Sequence, residues 1–510
     1  MRDYFNKLVQ KYMEYRYSGA DQMRTEPGVL QENMFKTLLP ELRSTEYGFN
    51  HVANDIQSYE DFKAALPLVS YEDLADDIHR MMLGERRILC KSDVRYFAKS
   101  SGTSNNRSKY IPVTKRYLFQ NHIRGNWDAV TFVHRDNSDS KIFSRKNLLM
   151  GGSFEAFPEN KNVIVGDISA IMVNNIPPVG RPFYTPDFET ALIPDWEKKI
   201  ELMSEICTQE SIQILAGVPT WSMVLFDRIL EKTKKKNMLE VWPEAIAYFH
   251  GGVSFDPYRE QFSKYFPGDQ IKYYEVYNAS EGFFALQDIP GRDDMLLLSN
   301  NENFFEFNPL SAHLKGEDAC VRIAEVEVGV TYVLVISNKS GLWRYVNGDT
   351  IAFSSVSPPR IKIIGRTSQY INAFGEELMV SNTDKALRHC CSKLGCSIKE
   401  YTVAPSYLER GKRGYHDWLI EFVEAPQDLN DFAQILDTHL QELNSDYAAK
   451  RFKDLALENL KVHTLQPGVF NNWFRSRGKY GGQNKVPRLS NDRKLFEEIM
   501  RFSKQELPTY

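Results

Sequence analysis

Apolar and polar positions follow different periods in successive parts of the chain. Near the N-terminus apolar residues recur at helical spacing, which predicts one face of an amphipathic helix. These residues are Phe5, Leu8, Val9, Tyr12 and Met13. The helical pattern continues to about residue 95. Within it, Ser58 with Asp61 and Ser70 with Asp73 have the spacing of helix N-caps.

The middle of the chain alternates short apolar runs with segments of helical length. Residues 211–217 predict a strand, Pro219 predicts the start of the following helix, and residues 271–277 predict another strand. Strands that alternate with helices indicate a largely parallel sheet covered on both faces. From 300 to 365 the pattern is rich in strands and indicates an antiparallel or barrel-like subdomain.

After about residue 378 the pattern predicts a small α+β domain. It contains a helix over 384–394, a strand pair around 408–418, a long helix over 428–443 and a strand over 457–465.

The polar stretch before this domain predicts a hinge, because its glycines can absorb changes in backbone dihedral angles. We therefore predict an α/β protein in three parts. Residues 1–368 form a large N-terminal domain of mixed α/β sheets with a β-rich subdomain. Residues 369–378 form the hinge, and residues 379–510 form a small, mobile C-terminal α+β domain.

Composition narrows the class of protein. A chain of 510 residues with 42% hydrophobic residues can bury several cores. Its 63 basic and 67 acidic residues leave a net charge of -4, so we expect neither nucleic acid nor a membrane surface as a partner. No apolar run approaches about 18 residues, which excludes a membrane-spanning helix.

The cysteines indicate a reducing compartment. The six are few and unpatterned, and the cluster Cys390, Cys391 and Cys396 has no histidine or second cysteine pair at zinc-ligand spacing. Buried side chains on a helix are the better interpretation. The N-terminus also lacks the apolar core of a signal peptide, so we expect a cytoplasmic protein.

A hydroxyl-rich segment over 99–112 is the first candidate for chemistry. Its members are Ser100, Ser101, Gly102, Thr103 and Ser104, followed by Lys109. Backbone N–H groups and hydroxyls of such a loop can wrap phosphate oxygens while a lysine neutralises charge. The spacing is not that of a Walker loop, and a Ser/Asn-rich surface turn is the alternative.

The second candidate, residues 276–288, follows an apolar strand. Glu281 stands just past the strand end, where open α/β sheets bind ligands, and it could hold Mg²⁺ near phosphates. Tyr277 offers a flat face for a purine. The alternative is a solvated glutamate that caps a helix, beside a tyrosine of the core.

Three further residues lie in polar turns or at a strand end. Asp349 in an Asn-Gly-Asp turn between strands could accept both hydroxyls of a ribose, although such dipeptides are also common in simple hairpins. Arg366 at a strand end could contact phosphate or ribose, or pair with a surface acid. Lys485 follows a Gly-Gly turn and could swing toward a phosphate, although most such lysines are solvated.

The order of these segments resembles the adenylate-forming superfamily of acyl-CoA synthetases, peptide-synthetase adenylation domains and luciferases. It is most similar to the auxin-responsive branch, the acyl acid amido synthetases first known from plants. The similarity includes a helix-opening segment at 217–221, a Gly-Gly segment at 249–258 and a C-terminal lysine motif at 484–489. It covers residues 95 to 490.

The resemblance implies a ligase with two half-reactions. A small carboxylic acid attacks the α-phosphate of ATP, with Mg²⁺, to give an acyl-adenylate and pyrophosphate. An amine, typically an amino acid, then forms an amide and releases AMP. The nucleotide lies between the two domains, and rotation about the hinge separates the half-reactions.

The resemblance also implies roles for individual residues. The phosphates would be held by Ser100, Ser101, Gly102, Thr103, Ser104 and Lys109. The adenosine would be bound by Tyr277, Asp349, Arg366, Gly251 and Gly252, the two glycines lining the adenine or acyl pocket. Catalytic roles fall to Lys485, which drives adenylation, to Ser280 near the α-phosphate or acyl carboxylate, and to Glu281 on Mg²⁺. The acyl pocket would include Val218, Trp221 and Phe283.

Three departures from the family pattern concern the loop, the acyl site and the hinge. Asn105-Asn106 stands where the family has a glycine, and Asn278-Ala279 replaces Gly-Ser. Asn372 stands where many CoA ligases have lysine, which favours an amine acceptor over CoA. An acyl-CoA ligase and a non-catalytic protein that binds nucleotide or acyl ligand remain the alternatives.

Overall fold

The computed structural model describes residues 2–100, 109–137, 145–178, 180–252, 255, 258–367, 369–371, 373–374, 376, 378–406, 414–451, 457–478 and 485–504. The chain divides into two compact units. The first comprises Met1–Val253 and Phe266–Lys362, and the second comprises Ser254–Tyr265 and Ile363–Tyr510.

The α-helices of the first unit precede and interleave with its strands. They are α1 (Arg2–Thr25), α2 (Pro27–Leu42), α3 (Glu46–Asn50), α4 (Tyr59–Ala65), α5 (Tyr71–Leu83), α6 (Lys115–Tyr117), α7 (Arg124–Asp136), α8 (Ile168–Asn174), α9 (Phe188–Ala191), α10 (Trp196–Thr208), α11 (Pro219–Thr233) and, after α12 of the second unit, α13 (Leu310–His313). A π-helical turn, Leu118–Ile123, joins α6 to α7, and 3₁₀ turns lie at Arg181–Phe183 and Met238–Glu240. The helices of the second unit are α12 (Arg259–Tyr265), α14 (Val380–Leu394), α15 (Leu429–Leu443), α16 (Ser445–Arg451), α17 (Val469–Ser476) and α18 (Lys494–Lys504).

Four sheets contain the described strands. The strands are β1 (Tyr96–Ser100), β2 (Lys109–Val113), β3 (Lys146–Leu149), β4 (Phe154–Ala156), β5 (Ile164–Gly166), β6 (Tyr184–Thr185), β7 (Ile212–Ala216), β8 (Ala247–His250), β9 (Lys272–Ala279), β10 (Gly282–Leu286), β11 (Met295–Leu297), β12 (Asn303–Pro309), β13 (Thr331–Asn338), β14 (Tyr345–Ser355), β15 (Arg360–Arg366), β16 (Tyr370–Ile371), β17 (Leu378–Met379), β18 (Ser397–Ser406), β19 (Tyr415–Glu424) and β20 (Lys461–Leu465).

The largest sheet combines a parallel and an antiparallel part. Its order is β12-β13-β14-β15-β11-β10-β9-β8-β7-β3-β6. Strands β6, β3, β7, β8 and β9 pair in parallel. The pairs β9–β10, β10–β11, β11–β15, β12–β13 and β13–β14 are antiparallel. The first unit also has the sheet β2-β1-β5-β4, and the second has β16-β17 and β18-β19-β20.

Local chemistry explains several element ends. Ser58 accepts from the backbone N–H of Asp61, whose carboxylate accepts from the Ser58 N–H, so α4 begins with a capping box. Pro219 occupies the first turn of α11, where a missing N–H costs nothing. Gly395 ends α14 in the left-handed region, with φ of 63°.

Each unit has its own cores. In the first unit one large cluster joins the N-terminal helices to β1, β2 and the antiparallel strands, and a second includes Val9, Met13, Phe132 and Phe283. In the second unit two clusters lie on β18 and β19, one around Trp418 and one around Leu419.

The structure confirms the predicted α/β class, and it corrects several local predictions. The strands of the β-rich subdomain are antiparallel, as one of the two predicted alternatives had it, and they continue the main sheet instead of closing a barrel. Tyr12 is 48% exposed because the buried face of α1 centres on Val9 and Met13.

The cysteines and helices agree with the expectations from composition. All six cysteines are buried free thiols, although Cys396 lies past the end of α14. Among the described helices, none is long and apolar enough to cross a membrane.

Candidate active site

A tight turn between β9 and β10 carries two of the predicted site residues. Ala279 pairs with Gly282, so Ser280 and Glu281 form a two-residue hairpin turn, and each is only 6% exposed. Tyr117 places its hydroxyl 2.8 Å from the carbonyl oxygen of Glu281. A strand, not a helix, follows Glu281, so the alternative of a helix-capping glutamate is wrong.

Tyr277 and Asp349, predicted to share one adenosine, are brought into direct contact. The Tyr277 hydroxyl donates to Asp349 Oδ2 at 2.5 Å. Asn347 Nδ2 lies 2.9 Å from both the Tyr277 hydroxyl and Asp349 Oδ2. Tyr277 is 5% exposed and packs edge-on against Phe284, with ring centroids 5.0 Å apart. The arrangement presets the carboxylate of Asp349, while stacking of the Tyr277 ring on adenine stays a prediction.

The backbone around Asp349 differs from the predicted turn between two strands. Asn347, Gly348 and Asp349 lie inside the single strand β14, which pairs with β13 on both sides of them. Since Val333 pairs with Thr350 and Val335 pairs with Val346, these three residues stand opposite Leu334 alone. Gly348 has φ of 84°, which favours glycine. The prediction of a hairpin turn is wrong, and a β-bulge aims Asp349 at Tyr277.

A buried ion pair supports the start of the same strand. Arg344 is fully buried and donates to Glu306, which is also fully buried, and to Asp318. It also donates to the carbonyl oxygen of Leu66 at 2.8 Å. Arg344, five residues before Asp349, therefore has a structural role at the start of this strand.

The Gly-Gly segment lies against the strand that carries Tyr277. Gly251 follows β8, and a Cβ at Gly251 would lie 2.4 Å from the carbonyl oxygen of Val276. Only glycine permits this approach of the two backbones without a shift. Gly252 has φ of 80°, another position that favours glycine.

The predicted phosphate loop joins two paired strands. Ser100 ends β1 and pairs with Lys109 at the start of β2. The Lys109 Nζ lies 5.6 Å from the ring centroid of Tyr71. The remaining loop residues, Ser101, Gly102, Thr103 and Ser104, lie outside the described residues, as does the departure at Asn105-Asn106. The β1–β2 strands and Tyr277 share one hydrophobic core.

A histidine that the sequence patterns do not identify lies beside this turn. His122 is fully buried in the π-helical turn, and its Nδ1 lies 3.1 Å from Asn278 Oδ1. Because Oδ1 accepts, Nδ1 carries the proton and Nε2 carries a lone pair, which meets no hydrogen-bond partner in the described part of the chain. Burial lowers the pKa of His122 to about 4, so the ring is neutral at pH 7.

The sequence patterns also fail to identify two amide side chains of the site, Asn121 and Asn347. Asn121 accepts from the Phe283 N–H at 2.7 Å and fixes the start of β10, while Asn347 connects Tyr277 to Asp349. Asn347 stands two residues before Asp349, so its place in the Asn-Gly-Asp sequence is the feature that could have identified it. Asn121 had no such signal, because its partner is distant in sequence.

The three predicted acyl-pocket residues have different surroundings. Val218 is the N-cap residue of α11. Trp221 lies on the first turn of that helix, and its ring packs edge-on against Trp196 with centroids 4.5 Å apart. Phe283 is fully buried, and a Cβ at Gly125 would lie 2.5 Å from its ring. Their place in an acyl pocket stays a prediction.

Arg366 and Lys485 belong to the second unit. Arg366 ends β15, as predicted, and accepts at its carbonyl oxygen from the Gln369 N–H at 3.0 Å. Lys485 is half-buried, and Pro487 to Ser490 after it run beside β18. Asn372 of the predicted hinge lies outside the described residues.

The donor set around Glu281 fits Mg²⁺ bound through phosphates better than a closed metal cage. Within the described ranges, no three His, Cys, Asp or Glu side chains gather as a metal site. Mg²⁺ is usually bound by one or two carboxylates together with substrate phosphates, and Glu281 supplies one nearly buried carboxylate.

Three models of one family match the chain in order. The GH3 family N-terminal domain matches residues 16–271, the central domain matches 296–366, and the C-terminal domain matches 381–494. Together they include Gly251, Gly252, Asp349, Arg366 and Lys485.

Curated relatives extend over nearly the whole chain. An indole-3-acetic acid-amido synthetase of Arabidopsis thaliana is 23% identical, covering 92% of this chain and 90% of the relative. A 4-substituted benzoates-glutamate ligase of the same plant is 21% identical, covering 92% of this chain and 94% of the relative.

Solved structures share the fold. An acyl acid amido synthetase in complex with 2,4-DB matches with a TM-score of 0.78 and 17% identity, covering 98% of this chain and 99% of that chain. A 2-hydroxyisobutyryl-CoA ligase in the postadenylation state, with 2-HIB-AMP, matches with a TM-score of 0.59 and 13% identity, covering 94% of each chain.

Proposed function

The chain belongs to the GH3 family, and from this premise we propose that it is an ATP-dependent ligase that joins a small carboxylic acid to an amine. One observation supports this most strongly. The contact of Tyr277 with Asp349 presets a ribose-binding carboxylate in the unit that carries the turn with Ser280 and Glu281. The amine we propose is an amino acid, as the name of the 4-substituted benzoates-glutamate ligase among the relatives suggests.

The first half-reaction activates the acid. An oxygen of its carboxylate attacks the α-phosphorus of ATP, and the bond from that phosphorus to the bridging oxygen of pyrophosphate breaks. Both reactants are anions, so the charge of Lys485 lowers the barrier by stabilising the transition state. Ser100, Ser101, Gly102, Thr103, Ser104 and Lys109 hold the phosphates.

Each remaining residue acts on one part of the substrates. Asp349 accepts from the ribose hydroxyls, while Tyr277, Gly251 and Gly252 border the base and Arg366 contributes beside the ribose. Ser280 orients the reacting carboxylate. Glu281 would hold Mg²⁺, which when bound neutralises charge on the phosphate oxygens.

The second half-reaction forms the amide. The amine nitrogen attacks the acyl carbon, the bond from that carbon to the phosphate-bound oxygen breaks, and AMP leaves with the oxygen. We propose that rotation about residues 369–378 moves the C-terminal domain, residues 379–510, relative to residues 1–368. That motion withdraws Lys485 and admits the amine. The acyl group would rest against Val218, Trp221 and Phe283.

The location we propose is the cytoplasm. Its support is the set of six buried free thiols, which a reducing compartment preserves.

Product identification tests the function. Purified protein is incubated with ATP, Mg²⁺ and a panel of aromatic and aliphatic acids, each alone, with mixed amino acids, and with CoA. We expect acid-dependent pyrophosphate release and an amide in the mass spectrum. A thioester formed only with CoA would replace the proposal by a CoA ligase. Binding of ATP without pyrophosphate release from any acid would replace it by a non-catalytic binding protein.

A further inference from the structure

The segment that follows Lys485 is fixed to the second unit by its backbone. Val403 donates its N–H to the carbonyl oxygen of Arg488 at 2.8 Å, and Ser490 donates to the carbonyl oxygen of Val403 at 3.2 Å. Thr402 Oγ1 donates to the carbonyl oxygen of Pro487 at 2.7 Å. The segment thus extends the sheet beyond β18, and the half-buried Lys485 stands at its N-terminal end.

Arg488 anchors this segment through its side chain. It is 5% exposed and donates to Asp384 Oδ1 on α14 and to the Tyr258 hydroxyl, the latter at 3.0 Å. Its guanidinium carbon lies 4.9 Å from the ring centroid of Tyr401, whose hydroxyl donates to the same Asp384 oxygen at 2.6 Å. The orientation of the guanidinium is fixed here, because Nη1 and Nη2 each donate to a buried partner and two tyrosine rings lie beside the group.

The charges of this cluster are balanced. Glu400 Oε1 lies 3.8 Å from Arg488 Nε, so two carboxyl groups face one guanidinium. Burial raises the pKa of Glu400 to about 7, which keeps a share of that carboxyl protonated near neutrality. Arg488 and Asp384 therefore form the principal ion pair of the cluster.

A second cluster in the same unit has the same composition and serves as a matched control. Arg451 on α16 is 8% exposed and donates to both carboxylate oxygens of Asp437, at 2.8 and 2.9 Å. The Tyr447 hydroxyl donates to Asp437 at 2.6 Å. This Arg-Asp-Tyr group fixes the carbonyl oxygen of Leu457, not the segment that carries Lys485.

We propose that Arg488 is a positioning residue for adenylation, which holds the Lys485 segment so that the lysine charge reaches the reacting phosphate. The proposal rests on the proposed function. Lys485 stands three residues before Arg488, so loss of the Asp384 and Tyr258 contacts frees the backbone that orients it. A displacement of about 1 Å in such a group lowers a rate by about 10²-fold.

The test compares Arg488→Met with Arg451→Met. Adenylation is measured as acid-dependent exchange of labelled pyrophosphate into ATP, and acyl transfer as amide formation from a supplied acyl-adenylate. Folded fraction is measured by thermal unfolding. We expect Arg488→Met to lower the exchange rate constant by about 10²-fold and to leave transfer within a few-fold of wild type. Arg451→Met should keep the wild-type rates of exchange and of acyl transfer per folded molecule.

The double variant Lys485→Ala/Arg488→Met separates positioning from general loss of structure. If Arg488 acts through Lys485, the double variant is no slower in exchange than Lys485→Ala alone. Should Arg488→Met not fold, Arg488→Lys, which keeps the charge but not the planar fork, is expected to show a smaller loss confined to exchange.

Two results would overturn the inference while leaving the proposed function intact. One is an equal loss of the exchange rate in Arg488→Met and Arg451→Met. The other is a Lys485→Ala/Arg488→Met double variant whose exchange rate falls by the product of the two single-variant losses. Wild-type protein that shows neither exchange nor transfer would overturn the proposed function, and the inference with it.

Discussion

In the first unit, Tyr277, Asn347 and Asp349 bond directly to one another, with distances of 2.5 to 2.9 Å. In the second unit, Lys485 is half-buried and stands at the start of a segment whose backbone is hydrogen-bonded to β18. The first arrangement suits a group that binds substrate in the ground state, because its orientation is fixed beforehand. The second arrangement belongs to the domain that we propose to rotate, and it suits a charge that is needed in only one step.

This comparison implies that substitutions in the two units affect different steps. Changes near Asp349 should act on ATP binding and on the stability of the strand ends. Changes near Lys485 should act on the rate of adenylation. Four variants test the distinction, in order of the expected effect.

Lys485→Ala should have the largest effect. Loss of the charge that stabilises the transition state is expected to lower the rate of pyrophosphate exchange by about 10²–10³-fold. ATP affinity and thermal stability should change little, because the side chain is only half-buried. Lys494→Ala, an exposed lysine of the same unit, is the control. Exchange at the wild-type rate in Lys485→Ala would remove this residue from the mechanism.

His122→Gln tests the buried turn beside Asn278. The folded-state pKa of about 4 lies below the ordinary 6.5, so the unfolded chain binds the extra proton between these values. The contribution to stability is complete above pH 6.5 and is lost as the pH falls toward 4. It amounts to about 3 kcal/mol.

Urea unfolding across this pH range provides the measurement. The wild-type free energy of unfolding should fall more steeply than that of His122→Gln, by about 3 kcal/mol. The difference between the two proteins above pH 7 is the internal control, since both side chains are neutral there. Parallel curves would show that His122 titrates normally.

Gly251→Ala tests the close approach of β8 to β9. The added Cβ would lie 2.4 Å from the Val276 carbonyl oxygen, so the strand end before Tyr277 must shift. We expect a loss of about 2 kcal/mol in thermal stability and weaker ATP binding. Gly19→Ala, in the middle of α1 with no atom within 4 Å, should instead gain about 0.5–1 kcal/mol. A neutral Gly251→Ala would contradict the predicted clash.

Asp349→Asn should have the smallest effect of the four. An amide offers the ribose one acceptor oxygen instead of two, so we expect KM for ATP to rise about tenfold with kcat nearly unchanged. Tyr277→Phe should raise KM less. The two changes should be non-additive, because the side chains are in contact. Additive effects in a double-mutant cycle would contradict the coupling.

Sequence patterns identified much of this architecture, and their failures have physical causes. An apolar run located β7, because a buried parallel strand requires one. Asn347-Gly348-Asp349 has the composition of a hairpin turn, yet strand pairing on both sides converts it into a bulge. The local composition does not show which residues of the neighbouring strand lie opposite these three.

Long-range contacts account for the remaining gaps. His122 is 156 residues from Asn278, and Arg488 is 230 residues from Tyr258, so no local pattern marks either pair. The order of motifs led to the family, whereas the contacts that orient the motif residues required the fold.

Isotope transfer tests the central claim, the acyl-adenylate, most directly. An accepted acid whose carboxylate oxygens carry heavy oxygen is turned over with ATP and the amine, and the nucleotide products are analysed by mass spectrometry. The account predicts that AMP contains one heavy oxygen, since the bond from the acyl carbon to the phosphate-bound oxygen breaks in the second step. Unlabelled AMP, or ADP with the label in inorganic phosphate, would contradict it.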